Sequence, residues 1–86
     1  MDEHLYDDLI EEIREKSMEI DGVLETEKCF VRKHGMRYFV DLHLVVNGNI
    51  PVKEGHRIGH DVQEHLIKSI DNLENVLVHI EPDSFD

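Results

Sequence analysis

The sequence predicts an α+β fold in which two helices cover one face of a three-stranded sheet and leave the other face open. Three observations lead to this prediction. Two segments repeat apolar residues at helical spacing, other segments alternate apolar and polar residues as strands do, and the elements follow in the order αββαβ. Such elements pack as two layers around one core. A chain of 86 residues is long enough for one domain, residues 1–86, and too short for two.

The first part of the chain predicts a helix followed by a strand. Residues 4–20 carry apolar side chains at steps of about four, which is typical of an amphipathic helix with one buried stripe. Residues 23–33 are predicted to form the first strand, with a less regular pattern than the rest of the chain. The pair His34-Gly35 then indicates a tight turn.

Residues 37–46 form the clearest predicted strand, because every second side chain in them is apolar. The set expected to face the core is Tyr38, Val40, Leu42, Leu44 and Val46. A second helix is predicted over residues 53–71 and a last strand over residues 75–81, which Pro82 ends. The complete order predicts an open-faced, ferredoxin-like sandwich.

The net charge of the chain limits the classes of partner that it is expected to bind. Nine Lys and Arg against 20 Asp and Glu give a net charge of −11. This argues against nucleic acid and against an anionic membrane surface, because both are bound by clustered basic residues. An acidic field raises the local concentration of cations, although a solvated surface explains the acidity equally well.

Several kinds of site are not expected. Cys29 is the only cysteine, so the sequence has neither an internal disulfide nor a C-x-x-C metal motif. No apolar run approaches the roughly 18–20 residues that span a bilayer. The segment from His56 to His60 resembles a zinc protease motif in spacing but lacks its glutamate base. We therefore expect no catalytic centre.

The seven histidines are the unusual feature of the composition. His79 and Glu81 are two residues apart on a predicted strand, so both point to one face with Cα atoms about 6.6 Å apart. His43 points to the open face of its own strand, and His56 and His60 share one face of the second helix. Imidazole and carboxylate groups at these spacings can bind one ion.

Each of these signals also has a simpler interpretation. A histidine pair at four-residue spacing is more often two surface residues, and a single strand histidine is mostly a half-buried polar side chain. Three further histidines, His4, His34 and His65, are predicted to lie on the surface. The candidate metal ligands are therefore His43, His56, His60, His79 and Glu81.

The predicted fold raises a geometric difficulty for this site. His43 and His79 should lie on the open face of the sheet, whereas the second helix covers the other face. His56 can join them only if the helix entry wraps over a sheet edge, or if the ligands come from two protomers. The second alternative favours a site at a dimer interface.

Three runs of sequence, in order, carry a resemblance to a known family. They are Gly22-Val23 with Arg32, Gly35 and residues 38–44, then residues 52–60, and last residues 76–82. Together they resemble the cytosolic C-terminal domain of cation diffusion facilitators over residues 8–82. The resemblance implies a metallochaperone-like fold, a homodimer and a membrane domain, absent from this chain, that exchanges divalent metal for protons.

The resemblance also implies site residues. His43, His56, His79 and Glu81 match positions that contribute to metal sites near the dimer interface of the family, whereas His60 is a ligand only in some relatives. Glu81 stands where some relatives have Asp. The implied metal is zinc, or another divalent ion such as manganese, iron, cobalt, nickel or cadmium, bound at the cytoplasmic face of a membrane. A free-standing metal buffer or chaperone, a dimerisation module that needs no metal, and a module for a small organic ligand remain alternatives.

Overall fold

A computed structural model describes residues 5–84, which form two helices and one three-stranded sheet. The elements are α1 (Asp7–Ser17), β1 (Glu25–His34), β2 (Arg37–Val46), α2 (Val52–Ser69) and β3 (Leu73–Pro82). The strands lie in the order β1-β2-β3, with β1 antiparallel and β3 parallel to β2. The predicted αββαβ architecture is confirmed.

The core lies between the two helices and the covered face of the sheet. Four of the five side chains predicted for the inner face of β2 are buried, and the fifth, Tyr38, is half-buried. Ile13 of α1 and Ile58, Val62 and Leu66 of α2 pack against them, each with at most 2% of its surface exposed. Burial of these alternating and helical stripes is the main stabilising contribution to the fold.

The first helix is shorter than predicted. It begins at Asp7 and ends at Ser17, whereas the prediction covered residues 4–20, of which residue 4 lies outside the described part of the chain. The chain turns after Ser17 to bring Gly22, with a φ of 99°, against the second helix. A residue at positive φ cannot continue a right-handed helix.

The boundaries of the later elements differ by a few residues. β1 runs from residue 25 to 34 rather than from 23 to 33, and an irregularity between Thr26 and Cys29 accounts for its uneven pattern. α2 begins at Val52 and ends at Ser69 rather than at residue 71, because Ile70 is already extended. β3 is longer than predicted, since its pairing with β2 continues from Leu73 to Pro82.

The molecule is elongated, with extents of 40 × 25 × 18 Å. We call one end the hairpin end; it holds the Gly35-Met36 turn, the start of α1 and Asn72. Tyr6 packs there against Tyr38 with ring centroids 6.0 Å apart. The opposite, or loop end, holds the last residues of β2 and β3 and the loop 47–51 that leads into α2. Within residues 5–84, no helix has the length and apolarity needed to cross a membrane.

Candidate metal centre

The open face of the sheet holds one group of candidate ligands near the loop end. The parallel register sets His43 of β2 beside His79 of β3. Their rings stack with centroids 4.4 Å apart and planes inclined by 15°. Glu81, two residues along β3, places Oε2 3.2 Å from Nδ1 of His43. We call His43, His79 and Glu81 the open-face group.

A second group lies on α2. Pro51, which has no amide hydrogen to satisfy, immediately precedes this helix. One helical turn separates His56 from His60, so their rings meet with centroids 4.5 Å apart at an angle of 66°. Both side chains are exposed. We call His56 and His60 the helix pair.

Strand β3 separates the two groups. The open-face group lies on the uncovered side of the sheet, whereas the helix pair lines a groove between α2 and β3. Among residues 5–84, no three His, Cys, Asp or Glu side chains of one chain are arranged so that they could hold a metal ion, and this includes the open-face group. The helix entry therefore does not bring His56 to the open-face group within one chain.

The groove itself was not anticipated from the sequence. It consists of two adjoining hollows of about 290 and 370 Å³ that share His56 and Ile80. Two helical glycines allow α2 to approach β3 closely, and a Cβ added to Gly59 would lie 3.4 Å from Ile80. Their spacing, Gly55-x-x-x-Gly59, is the sequence signal that indicates this close approach. Gln63, which was not among the candidate residues, also lines this groove. Its side-chain amide donates a hydrogen bond to the backbone carbonyl of Val76 at 2.9 Å.

The groove is lined largely by apolar side chains. Val52 at the start of α2 is 91% exposed and Ile80 of β3 is 36% exposed. The second hollow also contacts Val46, Ile50 and Pro82. Val52 and Ile80 thus place exposed apolar surface next to the helix pair.

The remaining acidic and histidine candidates lie elsewhere. Asp41 of β2 accepts a hydrogen bond from Arg32 at 3.3 Å. His34 is exposed, as predicted, whereas His65 is half-buried and lies 2.7 Å from the carboxylate of Glu19. This hydrogen bond lowers the pKa of Glu19 below its usual value of 4.5. His4 lies outside the described residues.

The fold and these groups define a two-layer αββαβ domain with histidine pairs on both sides of its last strand. The chain belongs to the family described as "Cation efflux protein, cytoplasmic domain", whose sequence pattern matches residues 5–83. The resemblance to cation diffusion facilitators is thereby confirmed. The family is one of transporters and not a class of enzymes.

Two curated relatives illustrate the relationship. The manganese efflux system protein MneP of Bacillus subtilis (strain 168) is 26% identical over 82 residues, which are 95% of this chain and 28% of that protein. Metal tolerance protein 2 of Oryza sativa subsp. japonica is 31% identical over 72 residues, 84% of this chain and 18% of that protein. The chain thus spans less than a third of either relative.

Solved structures share the fold. A doubly substituted MamM-CTD superposes with a TM-score of 0.90 at 20% identity, covering 94% of this chain and 98% of that one. A cadmium form of a MamM CTD variant superposes with a TM-score of 0.88 at 20% identity, covering 92% and 99%. At this identity the likeness establishes the ferredoxin-like fold alone.

Proposed function

We propose that residues 1–86 form the metal-sensing and dimerisation domain of a divalent-cation efflux transporter of the proton-antiport type. Two copies share the metal sites, and metal binding closes the dimer and regulates transport. The observation that carries the proposal is the division of the candidate ligands by β3: one chain holds an open-face group and a helix pair that it cannot combine. A second copy can complete both groups.

The chemistry of the ligands supports a divalent transition metal. Imidazole nitrogens and a carboxylate oxygen, without a thiolate, suit zinc and also manganese, iron, cobalt, nickel and cadmium. One relative is named as a manganese efflux protein, and two structural neighbours are named as a cadmium form and a nickel form. We propose zinc as the first ion to test.

The role of the protein in this proposal is electrostatic. Two copies with a net charge of −11 each repel one another, and the repulsion is least screened where the acidic surfaces approach. His43, His79 and Glu81 of one copy, together with His56 and His60 of the other, would hold positive charge at that contact. Metal then shifts the dimer toward the closed state only by its differential affinity for that state.

The groove between α2 and β3 is the surface that we propose the second copy covers. It adjoins the helix pair, and its exposed side chains Val52 and Ile80 lose contact with water when a partner packs on them. Val52→Asp should therefore prevent dimerisation. His79→Ala should leave the metal-free monomer–dimer equilibrium unchanged and weaken only the response to metal.

A zinc titration followed by small-angle scattering and sedimentation tests the proposal. The wild-type dimer should become more compact as zinc is added, and His79→Ala should lose this compaction. His34→Ala is the matched control, because His34 is an exposed histidine at the hairpin end. It should behave as wild type.

The outcomes separate the alternatives. Tight zinc binding by a monomer would support a buffer or chaperone and reject the shared site. A stable dimer that binds no zinc and tolerates alanine at His43, His56 and His79 would identify a dimerisation module that needs no metal. Anomalous scattering from zinc-soaked crystals would show which side chains bind the ion.

A further inference from the structure

The basic residues of the chain are concentrated in one hairpin. Residues 28–40 contain four of the nine Lys and Arg and none of the 20 Asp and Glu. Three of the four, Arg32, Lys33 and Arg37, flank the Gly35-Met36 turn and are exposed. We call residues 28–37 the basic hairpin; every acidic residue of the chain lies outside it.

The tip of the basic hairpin presents an apolar side chain next to these charges. Met36 is 73% exposed at the turn, where Gly35 adopts a φ of 61°. Leu5, 63% exposed, precedes the start of α1 at the same end. Single apolar side chains beside basic ones on a protruding tip are suited to the boundary between lipid headgroups and acyl chains.

Some of the charge at this end is already paired. Arg32 contacts Asp41 and Arg37 contacts Glu74, with N–O distances of 3.3 and 2.5 Å. Lys33 instead lies with its ammonium 5.6 Å from the centroid of the Tyr38 ring. Three carboxylates also lie near the hairpin end, those of Asp7, Asp8 and Asp71. The positive charge at this end is therefore confined to the basic hairpin.

Because salt screens charges over a short distance, the charge close to a membrane governs the contact more than the net charge of the chain does. The Debye length is about 8 Å at physiological ionic strength. The molecule is 40 Å long, so the charges at the loop end lie several Debye lengths from a surface that touches the hairpin. The net charge of −11 argues against a membrane for the chain as a whole, but it does not apply to a contact made through the hairpin tip alone.

We propose that the basic hairpin docks on an anionic lipid surface, with Lys33 facing the headgroups and Met36 entering the interface. The membership of the chain in a family of cytoplasmic domains of efflux proteins brings an anionic leaflet within reach. The contact orients the hairpin end toward the membrane and the candidate metal ligands away from it. The proposal requires no metal, so its failure and that of the proposed function are distinguishable.

Vesicle co-sedimentation of the metal-free chain tests this contact. The probe is phosphatidylcholine vesicles with and without about a third phosphatidylglycerol, at several salt concentrations. The chain should bind only the anionic vesicles, and more weakly as salt is raised. Lys33→Glu should weaken binding by at least about fivefold, since each basic residue near the surface contributes about 1 kcal/mol.

Two matched controls separate the hairpin from the overall charge and hydrophobicity. Lys53→Glu changes the net charge equally at the exposed start of α2 and should bind as wild type. Met36→Ser should weaken binding, whereas Met18→Ser should not, because Met18 is 48% exposed but belongs to the end of α1. All four sites are exposed, and thermal melts verify that the variants fold.

Three results would overturn the proposal. Binding to neutral vesicles as tight as to anionic ones would remove the role of charge. Equal effects of Lys33→Glu and Lys53→Glu would attribute binding to net charge alone. Absence of binding to anionic vesicles at low salt would show that the basic hairpin does not dock on lipid and would point to a protein partner instead.

Discussion

Gly22 shows how one backbone position joins the two helices of this domain. It has a φ of 99°, and an added Cβ would lie 2.5 Å from Cδ1 and 2.9 Å from Cγ1 of Ile58. Ile58 is 2% exposed and cannot move away without disturbing the core. Gly22 is therefore required both for its conformation and for the space beside it.

Gly22→Ala should lower the free energy of unfolding by about 2–4 kcal/mol, from backbone strain and overpacking together. Gly35→Ala is the control, because Gly35 also has a positive φ, of 61°, but no atom lies within 4 Å of an added Cβ. It should cost only the strain, about 1–2 kcal/mol. Urea denaturation measures both, and equal losses would contradict the role given to Ile58.

At the scale of elements, a second contact links the end of α1 to α2. Unlike the buried contact of Gly22 with Ile58, it is polar and accessible to water. Glu19, just after α1, accepts a hydrogen bond from Nε2 of His65 at 2.7 Å, which lowers the pKa of Glu19. A carboxyl whose pKa is lowered by folding stabilises the fold above its usual pKa of 4.5. The contribution disappears as the pH falls through the lowered value.

Glu19→Gln should therefore reduce stability slightly at pH 7 and leave it unchanged at a pH below the lowered pKa, where the wild-type carboxyl is protonated. Glu15→Gln removes the same charge from an exposed position of α1 and serves as the control. Unfolding by urea at both pH values provides the comparison. An equal loss at both would show that the Glu19 contact does not depend on ionisation.

The elements also show what the sequence could predict. β2 was predicted residue for residue, because strict alternation and polar boundaries identify a strand. The neighbouring rings of His56 and His60 follow directly from helical spacing. The stacking of His43 on His79 does not, because it depends on which strands pair and in which register. Likewise, the ends of α1 and β3 differ from the prediction, because tertiary contacts determine where each element begins and ends.

At the scale of the whole molecule, the acidic surface opposes association of two copies. A charge of −11 on each chain gives a repulsion that salt screens. Raising the salt concentration should therefore strengthen the metal-free dimer and change a zinc-loaded dimer much less, because bound cations already offset the charge. Sedimentation velocity with and without zinc measures this. A metal-free dimer that weakens in salt would show that attraction between opposite charges, not repulsion, governs the interface.

The elongated shape gives the domain a mechanical property. Its candidate ligands lie nearer the loop end and its hairpin turn lies at the other, along an axis 40 Å long. If each copy rotates by about 10° around the loop end, the hairpin end travels about 7 Å, because displacement grows with distance from the pivot. In the proposed dimer, a small angular adjustment at the histidines would therefore move the hairpin end by more than the pitch of a helical turn.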